Sequence, residues 1–186
     1  QSGLLVPHIN NSNILGSSFQ IPYFHVISDN KDLTFKPTMF DKNIFMFQNE
    51  YRQQNKNSFF ITDFNITDGY KSKTTNEKNT LFHLFTQYDA DLNFENFIES
   101  SLNISIQKVN NDTYLKIFDT NIVDTKLKPE NYDILTSDIE LNLEHENFAL
   151  NTGFASYEDL SKSNSDRYQY VLPYYNFSNN LFDDNN

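Results

Sequence analysis

Apolar and polar residues alternate with a period of two over much of the chain, the pattern that sends successive side chains to opposite faces of a β-sheet. Leu102-Asn103-Ile104-Ser105-Ile106-Gln107 and Ile139-Glu140-Leu141-Asn142-Leu143-Glu144 each set aliphatic groups on one face and polar groups on the other. Phe60, Phe64 and Ile66 share a face in the same way, and noisier alternation runs through Leu33–Lys36 and Phe148–Phe154. Together these runs predict about ten strands, near 3–10, 16–27, 32–41, 43–54, 57–67, 80–89, 98–109, 133–144, 147–157 and 167–174. Asp29-Asn30-Lys31-Asp32, Asp41-Lys42-Asn43 and Asn55-Lys56-Asn57 supply tight-turn chemistry between them.

If consecutive strands pair as antiparallel hairpins, their connections alternate between the two ends of the sheet. One end then receives the shorter connections near 28–32, 55–57, 90–97 and 144–147, and the other those near 10–15, 41–43, 68–79, 109–132 and 158–166, which include the longest three. Short turns at one end and long loops at the other characterise an outer-membrane barrel, whose strands need about 9–11 tilted residues to cross a bilayer. The expected fold is therefore all-β: an antiparallel, up-and-down transmembrane β-barrel segment. The alternation is impure where Phe45 and Phe47 oppose Ile44 and Met46, and where Phe59 and Ile61 oppose Phe60, as suits a sheet whose inner face also packs something apolar.

Composition narrows the classes. Eighteen Phe and 11 Tyr among 186 residues are too much aromatic surface for a disordered chain. No apolar run approaches the ~18 residues of a spanning helix. A net charge of −11 lacks the basic footprint of a nucleic-acid binder. With no Cys, disulfide, thiolate and Cys-zinc chemistry are excluded. The opening Gln1-Ser2-Gly3 and the close on Leu181-Phe182-Asp183 lead us to expect an internal piece of a longer protein.

Pro7, in Leu4-Leu5-Val6-Pro7-His8-Ile9, and Pro22, in Phe19-Gln20-Ile21-Pro22-Tyr23-Phe24, each fall inside a predicted strand. Proline has no amide proton, so each removes a ladder hydrogen bond. That suits a seam built to open, and it equally suits an edge hairpin protected from further pairing.

Ser2-Gly3-Leu4-Leu5-Val6-Pro7, then Leu15-Gly16, Ile21-Pro22-Tyr23-Phe24 and Asp32-Leu33-Thr34-Phe35-Lys36-Pro37, resemble the start of the barrel in the LptD family, lipopolysaccharide-assembly outer-membrane proteins also called organic solvent tolerance proteins. Glu50-Tyr51-Arg52 resembles the family's following strand, Asn111-Asp112-Thr113-Tyr114-Leu115 its loop motif, and Tyr168-Gln169-Tyr170-Val171-Leu172-Pro173 a later strand. The resemblance singles out Gly3, Gly16, Tyr23, Asp32, Thr34, Tyr51, Arg52, Tyr114 and Pro173 as motif positions; His25 stands where the family often has Trp. It implies that residues 1–186 are the leading strands of a larger closed barrel, with a jelly-roll domain and the remaining strands lying outside this chain. It further implies a place in the cell outer membrane and passage of lipopolysaccharide through a lateral gate weakened by Pro7 and Pro22. The implied partners are an LptE-like lipoprotein plug, an LptA-like periplasmic bridge reached through the absent domain, and outer-membrane lipid.

Other constellations point to little chemistry. His8, His25, His83 and His145 have no paired metal-ligand spacing, so solvated or hydrogen-bonded histidines are expected, and no metal or cofactor. Asp89-Ala90-Asp91-Leu92-Asn93 starts like a calcium loop, but Phe94 stands where glycine is needed and Ser100 where the bidentate Glu belongs. Glu140 and Glu144 share a face with no nucleophile beside them, and the sequons at Asn65 and Asn103 fall inside predicted strands. Tyr114, Leu115 and Phe118 are expected to form a local cluster that holds the long connection down. The rival class is a soluble, all-β glycan-binding module; an enzyme with paired carboxylates is a distant third.

Overall fold

The computed structural model describes residues 1–72, 78–122 and 127–179. They form one antiparallel sheet of 12 strands: β1 (Gly3–Leu4), β2 (His8–Ser12), β3 (Gly16–Gln20), β4 (Tyr23–Ser28), β5 (Lys31–Phe40), β6 (Ile44–Gln54), β7 (Ser58–Lys71), β8 (Lys78–Asp91), β9 (Glu99–Val109), β10 (Ile134–Glu144), β11 (Phe148–Asp159) and β12 (Tyr168–Asn179). From β5 onward each strand pairs with the next in sequence, the up-and-down order that the hairpin pattern predicts. The count exceeds the sequence-based ten because the first two predicted strands are each broken, one into β1 and β2 around Pro7, the other into β3 and β4 around Pro22. Among the described residues the sheet is open, with β1 and β2 along one edge and β12 along the other.

The two faces differ in kind, because cross-strand partners point the same way and successive residues opposite ways. One face stays open and is apolar: Phe45, Phe47, Phe64, Ile66, Phe82, Leu84, Ile106, Ile139 and Phe154 all lie on it at 36–55% exposure. The other face is covered at the loop end. There the connection between β9 and β10 folds over the sheet through a single helical turn, α1 (Tyr114–Ile117), burying Tyr114, Leu115, Phe118 and Ile122 completely against Leu15, Phe40, Ile44, Met46, Leu81 and Phe85. Hence the impure alternation at Ile44–Phe47: Ile44 and Met46 lie under this connection, while Phe45 and Phe47 face outward. Toward the turn end the same face is polar, where Asp32, Glu50, Arg52, Gln54 and Gln87 line a groove of about 550 Å³.

The β9–β10 ladder stops at Ser105 and Asp138. Beyond that point side chains replace it: Thr136 N–H donates to Gln107 Oε1 (2.9 Å) and Gln107 N–H to Ser137 Oγ (3.0 Å). This splaying releases the chain into the long connection. No described helix is long and apolar enough to cross a membrane.

Candidate functional site

The proline-broken edge hairpin is the site that both the strand pattern and the motif series indicate. Its tip is fixed locally: Ser12 Oγ accepts from Ile14 N–H (3.2 Å) and Leu15 N–H (3.3 Å), and Gly16 turns the chain at a φ of +84°. Any side chain at Gly16 would collide with Asp41, whose Oδ2 accepts from Ser17 N–H at 3.1 Å. The backbone conformation therefore favours glycine there, and a side chain would in addition have to displace the Asp41 carboxylate.

Along the hairpin, Gly3 pairs with Phe24 and Leu4 with Tyr23, and pairing resumes at His8 with Gln20. Leu5, Val6 and Pro7 thus face only Ile21 and Pro22, a bulge placed at the two prolines. Leu5 N–H donates to the Pro22 carbonyl at 2.9 Å, while Ile21 N–H donates the other way, to Pro37 on β5, at 3.3 Å. Since N–H and C=O of one strand residue point to the same neighbour, the donor absent from Pro22 is absent from the seam with the first strand. Pro37 stands opposite Ile21 in the register that β3 and β4 keep with β5, and it lacks the donor that would return to Ile21. The chain at 21–22 is under-bonded on both sides. Pro7 is exposed and Pro22 is buried in the sheet. Pro37 is thus a third weak point, and its only signal in the sequence is a proline inside the predicted strand 32–41.

Around this break the motif residues separate into groups. Gly3 and Tyr23 share the edge hairpin with the prolines, and Tyr23 stacks on His25 with ring centroids 6.2 Å apart. Asp32, Thr34, Tyr51 and Arg52 meet where β5 pairs with β6. Arg52 Nε donates to Asp32 Oδ1 at 2.8 Å on the grooved face, beside Glu50 at 3.7 Å, and Thr34 is buried opposite Glu50. Tyr51 lies on the open face, its ring 5.9 Å from Phe60. Tyr114 and Pro173 lie elsewhere. Pro173 falls in an irregularity of β12, where Phe154 faces Leu172 and Pro173 together, an arrangement that an edge strand accommodates.

Tyr114 holds the long connection onto the sheet. His83 is fully buried, and its Nε2–H donates to Asp63 Oδ1 (2.7 Å) while Nδ1 accepts the Tyr114 hydroxyl (2.8 Å). Asn65 Nδ2–H donates to the Tyr114 oxygen, and Gln48 Nε2–H to Asp63 Oδ2 at 2.9 Å. These contacts assign the Nε2–H tautomer of His83. Burial pushes the Tyr114 phenol well above its ordinary range, against the bond from Asn65, so it serves as a proton donor. Phe85 stacks on the imidazole at 4.3 Å. The network has the residue types of a relay but lies sealed from solvent. The sequence leaves His83 either solvated or hydrogen-bonded; it is the latter, and its partners were not legible because Asp63, Asn65 and His83 come from strands whose register only pairing sets. Among the described residues no group of three or more His, Asp or Glu could hold a metal ion.

No protein-family model matches the chain. It is similar to the LPS-assembly protein LptD of Legionella pneumophila, strains Paris and Philadelphia 1, at 27% identity over 131 residues, covering 66% of this chain and 16% of each relative. The corresponding protein of strain Lens matches at the same identity and coverage. This chain therefore spans about one sixth of the length of the relatives it matches. The order of its elements, the open apolar face and the likeness to LptD are one consistent set of observations.

Proposed function

We propose that this chain supplies the leading strands of an outer-membrane β-barrel that delivers lipopolysaccharide to the outer leaflet, with no catalytic chemistry of its own. The observation that carries the reading is the inverted polarity of the sheet, whose open face is apolar while the opposite face holds the polar groove and the folded-in connection. A sheet in water does the reverse, and a soluble sandwich would cover such a face with a second sheet. Aromatic residues on the open face flank the apolar middle: Tyr51, Phe60 and Tyr88 toward the short turns, and Tyr168 and Tyr170 toward the long loops. Such belts suit the two interfaces of a bilayer.

In this reading the grooved face lines the barrel lumen, where an LptE-like lipoprotein would sit, and further strands continue from the β12 edge. A domain outside this chain would receive lipopolysaccharide from an LptA-like bridge. The under-bonded hairpin forms one side of a lateral gate: in lipid, unmade backbone bonds find no water to replace them, so a strand with fewer bonds to lose separates more readily. Replacing Pro7 and Pro22 together by Ala in the intact protein should restore donors to the seam and reduce the lipopolysaccharide reaching the cell surface. Undiminished delivery, with the variant folded and inserted, would refute the gate.

A further inference from the structure

Beyond the hairpin, the loop end carries a hollow of about 380 Å³ among β6, β7 and β8 that the transport reading leaves without a role. Three lysines line it, Lys42, Lys71 and Lys78, together with Tyr70. Its frame is fixed. Asn43 and Gly69 both take left-handed backbone conformations, with φ of 56° and 86°, and a Cβ on Gly69 would lie 2.5 Å from the Asn43 carbonyl oxygen. The irregularity of β7 between Thr67 and Tyr70 is thereby pressed onto the 41–43 turn.

Among the described residues the charges in this frame are unbalanced. Lys71 and Lys78 are direct cross-strand partners, an arrangement of like charges that weakens an antiparallel pair. Among the described residues no carboxylate forms an ion pair with Lys42, Lys71 or Lys78, although the whole chain carries a net charge of −11. Of the neighbouring acids among the described residues, Asp41 accepts from Ser17 N–H and Asp68 from Thr80, and Lys42 Nζ donates to the Ile14 carbonyl at 2.9 Å. A multiply charged anion in the hollow would offset the repulsion and give the ammonium groups charge-assisted hydrogen bonds.

We propose that Lys42, Lys71 and Lys78 form a binding site for a phosphate group, either free or carried on a lipid head group at the rim of the sheet. The lipid source rests on the membrane reading above; binding of free phosphate does not. The sign of the charge effect supplies the test. In the intact protein in detergent, inorganic phosphate at low ionic strength should raise the unfolding temperature. The double substitution Lys71→Gln/Lys78→Gln should abolish that rise and weaken phosphate binding about tenfold or more, while unfolding no lower than the parent in phosphate-free buffer. A second measurement follows acylation rates of the three lysines in nanodiscs of phosphatidylcholine with or without phosphatidic acid. Protection by phosphatidic acid alone identifies the head group as the source, and protection by inorganic phosphate as well identifies the phosphate itself. Protection by neither, or a phosphate effect that survives the double substitution, overturns the site. Lipopolysaccharide delivery enters neither readout, so the two readings fail separately.

Discussion

Tyr114 donates its hydroxyl to His83 Nδ1 across 2.8 Å, joining a residue of the longest connection to the middle of the sheet. Both side chains are completely buried, so neither can exchange the bond for water. Tyr114→Phe keeps the ring and leaves the His83 nitrogen and the Asn65 amide short of a partner, which should cost about 1–3 kcal/mol. Thermal unfolding of the intact protein reads the cost, and faster proteolysis within 110–122 reports where it falls.

Gly153 provides a second anchor. A Cβ there would stand 2.2 Å from the Ile139 carbonyl oxygen and 2.8 Å from the Tyr174 hydroxyl, because the Tyr174 ring crosses over this position toward Glu140. Gly153→Ala should destabilise by about 1–3 kcal/mol through overpacking. Hydrogen exchange should show the loss in β12 rather than in β5–β8.

The long connection has an acid-sensitive tie. Bonds from Lys128 and Tyr132 hold the Asp119 carboxyl below its ordinary value near 3.8. A depressed carboxyl stabilises the fold at pH values above that ordinary value and ceases to do so as the pH falls through the lowered one. Asp119→Asn should therefore loosen the connection at neutral pH and remove this part of its acid response, as followed by proteolysis between pH 2 and 7; an unchanged acid profile would count against the tie.

The open face separates lipid from water. Phe47 and Ile66 are cross-strand partners near the middle of the apolar band. If the band meets hydrocarbon, Ile66→Arg should cost about 2–4 kcal/mol of membrane insertion. If it meets water, the same change should leave stability within about 0.5 kcal/mol and improve solubility. Refolding yield into lipid vesicles discriminates.

Much of the architecture is legible in the chain because a sheet writes itself into sequence with a period of two. The runs at 102–107 and 139–144 fall within β9 and β10, and the turn residues at 29–32, 41–43 and 55–57 lie at observed reversals. The expected cluster of Tyr114, Leu115 and Phe118 does form, and the two-sided pattern at Ile44–Phe47 announced something apolar beneath the sheet. Pairings across strands were not legible. Asp63 and His83 are separated by 20 positions, and one residue of slip between β7 and β8 would turn one of them to the opposite face.

The sequence by itself determined the strand number to within the two proline breaks, the alternation of connections, and the positions at which backbone donors are missing, since these follow from local periodicity and from the chemistry of single residues. Only the tertiary structure decided which seam Pro22 weakens, that Pro37 joins it, that the long connection folds onto the grooved face at its apolar end, and that Lys71 and Lys78 stand opposite one another. Each of these depends on register, a property of pairs of strands that no single stretch of chain contains.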